Sequence, residues 1–483
     1  MVFSRVTPLL ARHRRTVLTA VGAVAALWVI VLAFNRWKPL PDGVSFRGPV
    51  HPASDVEFLY DLTYQVEDRE VVRQAIFDRV LAMIDSAETF VVLDMFLFDD
   101  EHAGDRPFRP ITAELTERLI ARKRARPDVA ITFITDPINN FYGAYTAAHL
   151  QRLRDAGIDV VVTRLTRLRD SNPFYSAAWR ILPAWLGTGG PGLLPHPLSS
   201  RGRKVTLRSY LALLNFKANH RKVIVTEGEC LVTSGNPHDA SSFHANIGFV
   251  ARGAVCQDVL DAERGVAAFS GTEMLAHRVR VPPTDAPDPN RRVAAQYITE
   301  GWIRTALRRE IDRSGAEDAI DLAVFYLSDR GIVRALRRAA RRGVAVRLIL
   351  DPNKDAFGRQ KGGVPNRQVA YELRDDVAVR WYDTHGEQFH TKLAVFTRAD
   401  SVAVIGGSAN YTRRNLGNFN LEADLRLRMG RDAPLARAVA EYYERIWSNI
   451  DGHFTLDLAA YLDRGLVKRV LYRVQEFTGF CTY

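Results

Sequence analysis

The chain repeats itself, and that repeat limits the fold more than any other feature. In the first half an apolar, β-branched run "TFVVLDMFLFDD" is followed by a helix-like "ITAELTERLIARKRA" and a second apolar run "DVAITFITDP". In the second half "DAIDLAVFYLSD", "GIVRALRRAARRG" and "VAVRLILDP" follow in the same order. Short apolar runs between turn signals read as buried strands, and strands alternating with helices predict parallel sheets with helices on their faces. The likeness continues into the loops, where "DPINNFYG" (136–143) aligns without a gap on "DPNKDAFG" (351–358). Two α/β/α sandwich lobes related by a pseudo-two-fold axis are therefore expected.

Each half then reaches a His-x-Lys followed by a Ser-x-Asn: His220, Lys222, Ser234 and Asn236 first, His390, Lys392, Ser408 and Asn410 second. With 12 His and 9 Lys in 483 residues, chance gives about 0.2 His-x-Lys pairs, so two in matching contexts are not accidental. The alternation of a strand puts His and Lys on one face, and a hairpin return brings Ser and Asn back beside them. Such a set suits a phosphodiester. Lysine, serine and asparagine serve the non-bridging oxygens; one imidazole attacks phosphorus while another gives a proton to the leaving oxygen. Nucleophile and acid must face each other across the phosphorus, which a pair of lobes provides and one lobe does not. The aligned Asp lies 84 residues before His220 but 39 before His390, so the first lobe carries an insertion of about 45 residues, placed at about 166–212.

These residues resemble the HKD signature of the phospholipase D superfamily, HxK, then Asp, then GSxN, present twice. The copy "FHTK…GGSAN" matches closely, and the likeness extends from about Phe58 to Trp447. Cardiolipin synthases are among the enzymes so related. The resemblance implies two-step transfer through a phosphohistidine, without metal or cofactor, at the interface of the lobes; the acceptor is water or an alcohol. It also implies supporting roles for three residues. Glu227 stands where the family has Asp; in the second copy that offset gives Thr397, with Asp400 three residues on. The Gly before Ser is Gly407 in one copy and Thr233 in the other. Glu422 matches the family's acidic residue after GSxN, which holds a catalytic His in one tautomer, and Asn246 is its first-copy counterpart. A carboxylate behind one His and an amide behind the other separate their pKa values. Which His is the nucleophile stays open.

Residues 17–34, "VLTAVGAVAALWVIVLAF", are uncharged and span about 27 Å at 1.5 Å per residue, close to a bilayer's hydrocarbon. Arg5, Arg12, Arg14 and Arg15 precede them, against Arg36 and Lys38 after, so an uncleaved anchor is expected with its N-terminus inside and the catalytic body outside. The sequence divides into a basic segment (1–16), the anchor (17–34), a Pro/Gly-punctuated linker (35–55), a first lobe (56–275), a second lobe (276–450) and an amphipathic C-terminal segment (451–483). A net charge of +11 favours anionic partners, here a phospholipid substrate and an anionic membrane surface. The insertion mixes Phe174, Tyr175, Trp179 and Trp185 with a basic cluster, Arg201, Arg203, Lys204 and Arg208, which fits an interfacial element or a lid. That apolar rim argues against nucleic acid, although a nuclease using the same site is the alternative, and a silent phosphate- or lipid-binding protein a further one. Three cysteines without CxxC spacing argue against a zinc site or a disulfide scaffold, a single Cys230–Cys256 bridge being left open. Asp99, Asp100 and Glu101 read as solvated loop acids, His238 and His244 as hydrogen-bonding residues, and "GTGGPG" as a flexible loop.

Overall fold

The computed structural model describes residues 3–53, 55–67, 69–101, 106–197, 202–281, 292–356, 359–360 and 362–481. Arg201 and Gly358, named above, lie outside them. Two large sheets build the body. The first runs in the order Arg69–Arg73, Glu57–Val66, Asn246–Ala251, Cys230–Thr233, Lys222–Thr226, Phe90–Met95, Ala130–Thr135, Asp159–Val162. The second runs His51–Ala53, Val293–Thr299, Ala423–Gly430, Ser401–Gly407, Lys392–Thr397, Ala319–Val324, Ala345–Leu350, Ala378–Tyr382, Thr455–Asp457. The expected α/β fold with tandem lobes is present.

The sheets are mixed, not parallel throughout. In each lobe three neighbouring strands are parallel, and the HxK strand runs antiparallel to both of its neighbours. The reason is the tight hairpin after HxK: a short turn joins only antiparallel strands, while the helical crossovers upstream supply the parallel ones. One apolar core is shared by the inner faces of both sheets, with Val223, Val225 and Phe249 meeting Leu393, Val395 and Val404. Two further cores back the outer faces against helices.

One sequence reading needs correcting, and one left open is decided. The stretch read as a linker is part of the second lobe: His51–Ala53 pairs antiparallel with Val293–Thr299, and Phe46 donates its N–H to Thr299 Oγ1 at 2.7 Å. Cys230 and Cys256 do form a disulfide, tying the hairpin return strand to the helix Ala254–Ser270. Odd count and wide spacing hide a bridge that chain folding makes local in space.

The N-terminal helix runs from Phe3 to Trp37, and its portion Thr16–Trp37 is long and apolar enough to cross a membrane. Within the insertion lie a helix Pro173–Ile181, a 3-10 turn Pro183–Leu186 and a helix Leu207–Leu213. The C-terminal helix is Leu466–Thr478.

Candidate active site

Apart from half-buried Thr397 the two HxK strands are buried, and at the start of each stand its His and Lys, at the seam between the lobes. What fixes the backbone there is a carboxylate from the repeated "DP" loop. Asp136 accepts the N–H of Asn219 at 2.7 Å, and Asp351 accepts the N–H of Phe389 at 2.7 Å, in each case the residue just before the His. Across the seam, single parallel bridges join Asn219 to Leu421 and Ala245 to Phe389. Each bridge places a catalytic-strand His next to the residue that follows its partner, Glu422 or Asn246.

That crossing decides how the rings are held. His220 Nδ1 lies 3.0 Å from the carboxylate of Glu422, which belongs to the other lobe. His390 Nδ1 lies 3.2 Å from Asn246 Oδ1, again across the seam. The ring centroids are 6.5 Å apart and the planes meet at 67°. With Nδ1 tied back, Nε2 of each ring is the nitrogen left for a ligand.

The other predicted residues gather here with one exception. Ser408 donates to Glu422 Oε2 at 2.5 Å, and Asn415 donates to Oε1 of the same carboxylate. Ser234 makes the equivalent bond to Asn246 Oδ1 at 3.2 Å. Lys222 and Lys392 rest on the carbonyls of their own histidines at 2.8 and 2.6 Å. Asn236 Oδ1 accepts from the Leu97 N–H at 3.4 Å, whereas buried Asn410 Oδ1 has no hydrogen-bond partner among the described residues. The exception is Glu227, which sits in the turn at the far end of the Lys222–Thr226 strand. It accepts the N–H groups of Glu88 (2.7 Å), Thr89 and Phe90, so it anchors the start of a neighbouring strand and touches no site atom.

Electrostatics follow from crowding four bases into a dry seam. Burial, reinforced by Lys222 and Lys392, holds both imidazoles well below their ordinary value. Burial also pushes Lys222 down to about 7, and burial with Lys222 beside it holds Lys392 well below its ordinary value. The Glu422 carboxyl moves up, again by burial, although Lys222, Ser408 and Asn415 oppose that. An anion entering beside Lys222 favours its charged form again.

Several residues that complete the site were not singled out in the sequence. Phe96 and Phe325 pack on His220 and His390 with centroids 4.8 and 5.0 Å away, and the matching ammonium groups lie 5.0 and 5.1 Å from the same rings. Their signal was the repeat itself, since both follow the last residue of equivalent strands. His244 accepts the Gln388 N–H at 3.2 Å, as a hydrogen-bonding reading expects, but it also stands 6.0 Å from the His390 ring. Of the loop acids only Asp100 is exposed. Asp99 and Glu101 are half-buried around a small cavity with His196 and His238, where His238 Nε2 donates to the Glu101 carbonyl at 3.0 Å and draws the loop in.

The chain is similar to several known proteins. Residues 307–447, in the second lobe, match the family described as cardiolipin synthase, PLD-like domain. The mitochondrial cardiolipin hydrolase of Xenopus laevis is 31% identical over 137 residues, 28% of this chain and 58% of the relative, so the match spans less than two thirds of that protein. The crystal structure of phosphatidylserine synthase from Haemophilus influenzae Rd KW20 superposes with a TM-score of 0.56 over 90% of this chain and 96% of that one, at 9% identity, a likeness of fold.

Proposed function

We propose that this chain, which belongs to the phospholipase D superfamily, cleaves or transfers the phosphodiester of a phospholipid between His220 and His390. The observation that carries the reading is the pair of imidazoles, each held at Nδ1 by the opposite lobe. His220, with a carboxylate behind it, is the better nucleophile: Glu422 accepts its Nδ1–H and stabilises the positive ring formed when Nε2 bonds to phosphorus. The anionic phosphodiester raises the pKa of His390, which is then protonated at Nε2 while its Nδ1–H stays on Asn246 Oδ1, and the bond to the leaving alcohol breaks as His390 gives that oxygen the Nε2 proton. Neutral His390 then takes a proton from water or a second alcohol, whose oxygen displaces Nε2 of His220 and frees it. Lys222, Lys392 and the amide of Asn410 bear the non-bridging charge.

We also propose that the N-terminal helix anchors the body outside the cytoplasm against an anionic membrane surface. The charge bias around the span supports this, and so does the Cys230–Cys256 disulfide, which suits an oxidising compartment. The test is to incubate the full-length protein, and its His220→Ala and His390→Ala variants, with vesicles of defined phospholipids plus glycerol, and to weigh the products. Phosphatidic acid alone means hydrolysis; a new diester means transfer. Degradation of plasmid DNA with untouched lipid would overturn the lipid reading.

A further inference from the structure

The anchor helix and the insertion are not independent. Trp28 Nε1 donates to the Phe174 carbonyl at 3.1 Å, with the two rings 6.0 Å apart. Further along, Asn35 accepts the Asp170 N–H at 3.0 Å through its carbonyl, and Lys38 donates to the Thr166 carbonyl at 2.9 Å. Numbers rise on the anchor as they fall on the insertion. The insertion helix therefore runs antiparallel along the anchor, away from Trp37 and into the apolar segment.

Lengths make this consequential. The 22 residues Thr16–Trp37 measure about 33 Å, close to the ~30 Å of a hydrocarbon core. Arg14 and Arg15 precede them, so the span has no apolar reserve on that side. Were the body wholly in water, only Thr16–Leu27 would be left to cross, about 18 Å. With the full span in the bilayer, Trp28 lies about 13 Å below Trp37, and the insertion helix goes in with it.

The chemistry of that segment agrees. Between Pro173 and Leu186 the one charged residue is Arg180, which is paired with Asp170 at 2.8 Å. Leu182, Trp185 and Leu186 are 72, 83 and 64% exposed, an apolar face that none of the described residues covers. Its backbone is helix and 3-10 turn, the form tolerated in lipid. Just past the C-terminal helix, Gly479 packs against the carbonyl of Ser171, two residues before the segment, and Phe480 meets Phe216 edge-on at 5.3 Å. Phe216 lies four residues before His220.

We propose that Pro173–Leu186 is sunk in the outer half of the bilayer beside the anchor, as a collar that seats the histidine pair on the lipid surface. Its occupant is phospholipid, acyl chains against the exposed face. The proposal rests on the lipid reading above. The full chain, carrying a nitroxide at Leu182→Cys or Trp185→Cys, is reconstituted in phosphatidylethanolamine–phosphatidylglycerol vesicles and probed with oxygen and a water-soluble nickel chelate. A label at Val72→Cys, on the edge hairpin, is the aqueous reference. The collar requires collision with oxygen and at least a tenfold lower nickel accessibility than at position 72. Nickel accessibility equal to the reference overturns it, as does shielding from both reagents, which packing against another copy would give. Phospholipid turnover on the same vesicles separates the two ideas. Turnover with water-exposed labels defeats the collar alone, and lipid-immersed labels without turnover uphold the collar while the substrate reading fails.

Discussion

Glu422 and Asn246 stand in equivalent places behind the two imidazoles, and they differ by a charge. If Glu422 stabilises a positive ring on His220, then Glu422→Gln keeps the hydrogen bond and loses the charge. The expected result is a fall in kcat of about 100-fold with KM little changed, read by steady-state kinetics on vesicles. Lys222 supplies a second outcome at this scale. Burial brings it to about 7, so above that pH the empty site has shed its proton. An anion that pairs with the ammonium must recover that proton, so the affinity for a phosphonate diester analogue should fall up to about tenfold per pH unit above 7. Calorimetry in buffers of different ionisation enthalpy should show proton uptake of up to about one per site at pH 8. The sequence made His, Lys, Ser and Asn legible because their spacing is a strand's. It did not reveal that Thr233 replaces glycine without harm. Thr233 faces Gly248 across the sheet, while Gly407 faces Asp424, so the small and large partners have simply changed strands.

Among the elements, the HxK strands carry a second message on their other face. Arg221, between His220 and Lys222, is fully buried and bonds Glu263 of the first lobe at 3.0 Å and Glu300 of the second at 2.8 Å. Glu300 in turn accepts the Glu422 N–H at 3.0 Å, so the clamp between lobes and the residue behind His220 are one network. Arg221→Ala leaves two carboxylates buried without their cation. It should cost about 3–5 kcal/mol in a denaturant titration. The second lobe puts Thr391 at this position, so no repeat signal marked the arginine. The disulfide is also an element-scale device, fastening the Ser234 hairpin to the helix that carries Glu263. Cys230→Ser/Cys256→Ser should lower stability by about 2–4 kcal/mol, measured by thermal melts with and without reductant. Conversely, the aligned Asp136 and Asp351 were visible as a repeat, but a sequence has no way to state that both clamp the peptide before a histidine.

At the scale of the molecule, the duplicated lobes, the order of their elements and the shared seam were readable because duplication shows in sequence. Contacts that cross the seam were not, since Glu422 serves His220 from 202 residues away. The strand His51–Ala53 also escaped notice, as a three-residue edge has no periodicity. It fixes how the body joins the N-terminal helix. Only 13 residues separate Trp37 from His51, and they are packed on the second lobe through Phe46 and Gly48 instead of forming a loose tether. Anchor, insertion and second lobe are thereby held as one unit, and the side on which the body sits follows from the side the anchor's basic end retains. If Arg5, Arg12, Arg14 and Arg15 stay in the cytoplasm, as proposed above, the body, its disulfide and the histidine pair lie on the far face. In bacterial spheroplasts making the full chain, added protease should digest the body without lysis, and in a Cys481→Ser background a thiol reagent applied to the denatured chain should label it only after reduction. Protection until lysis, with free thiols at Cys230 and Cys256, would reverse the orientation and put the site on cytoplasmic lipid. Moving the four N-terminal arginines to the segment after Trp37 should itself invert the protease pattern, because the bias and not the fold of the body sets the direction.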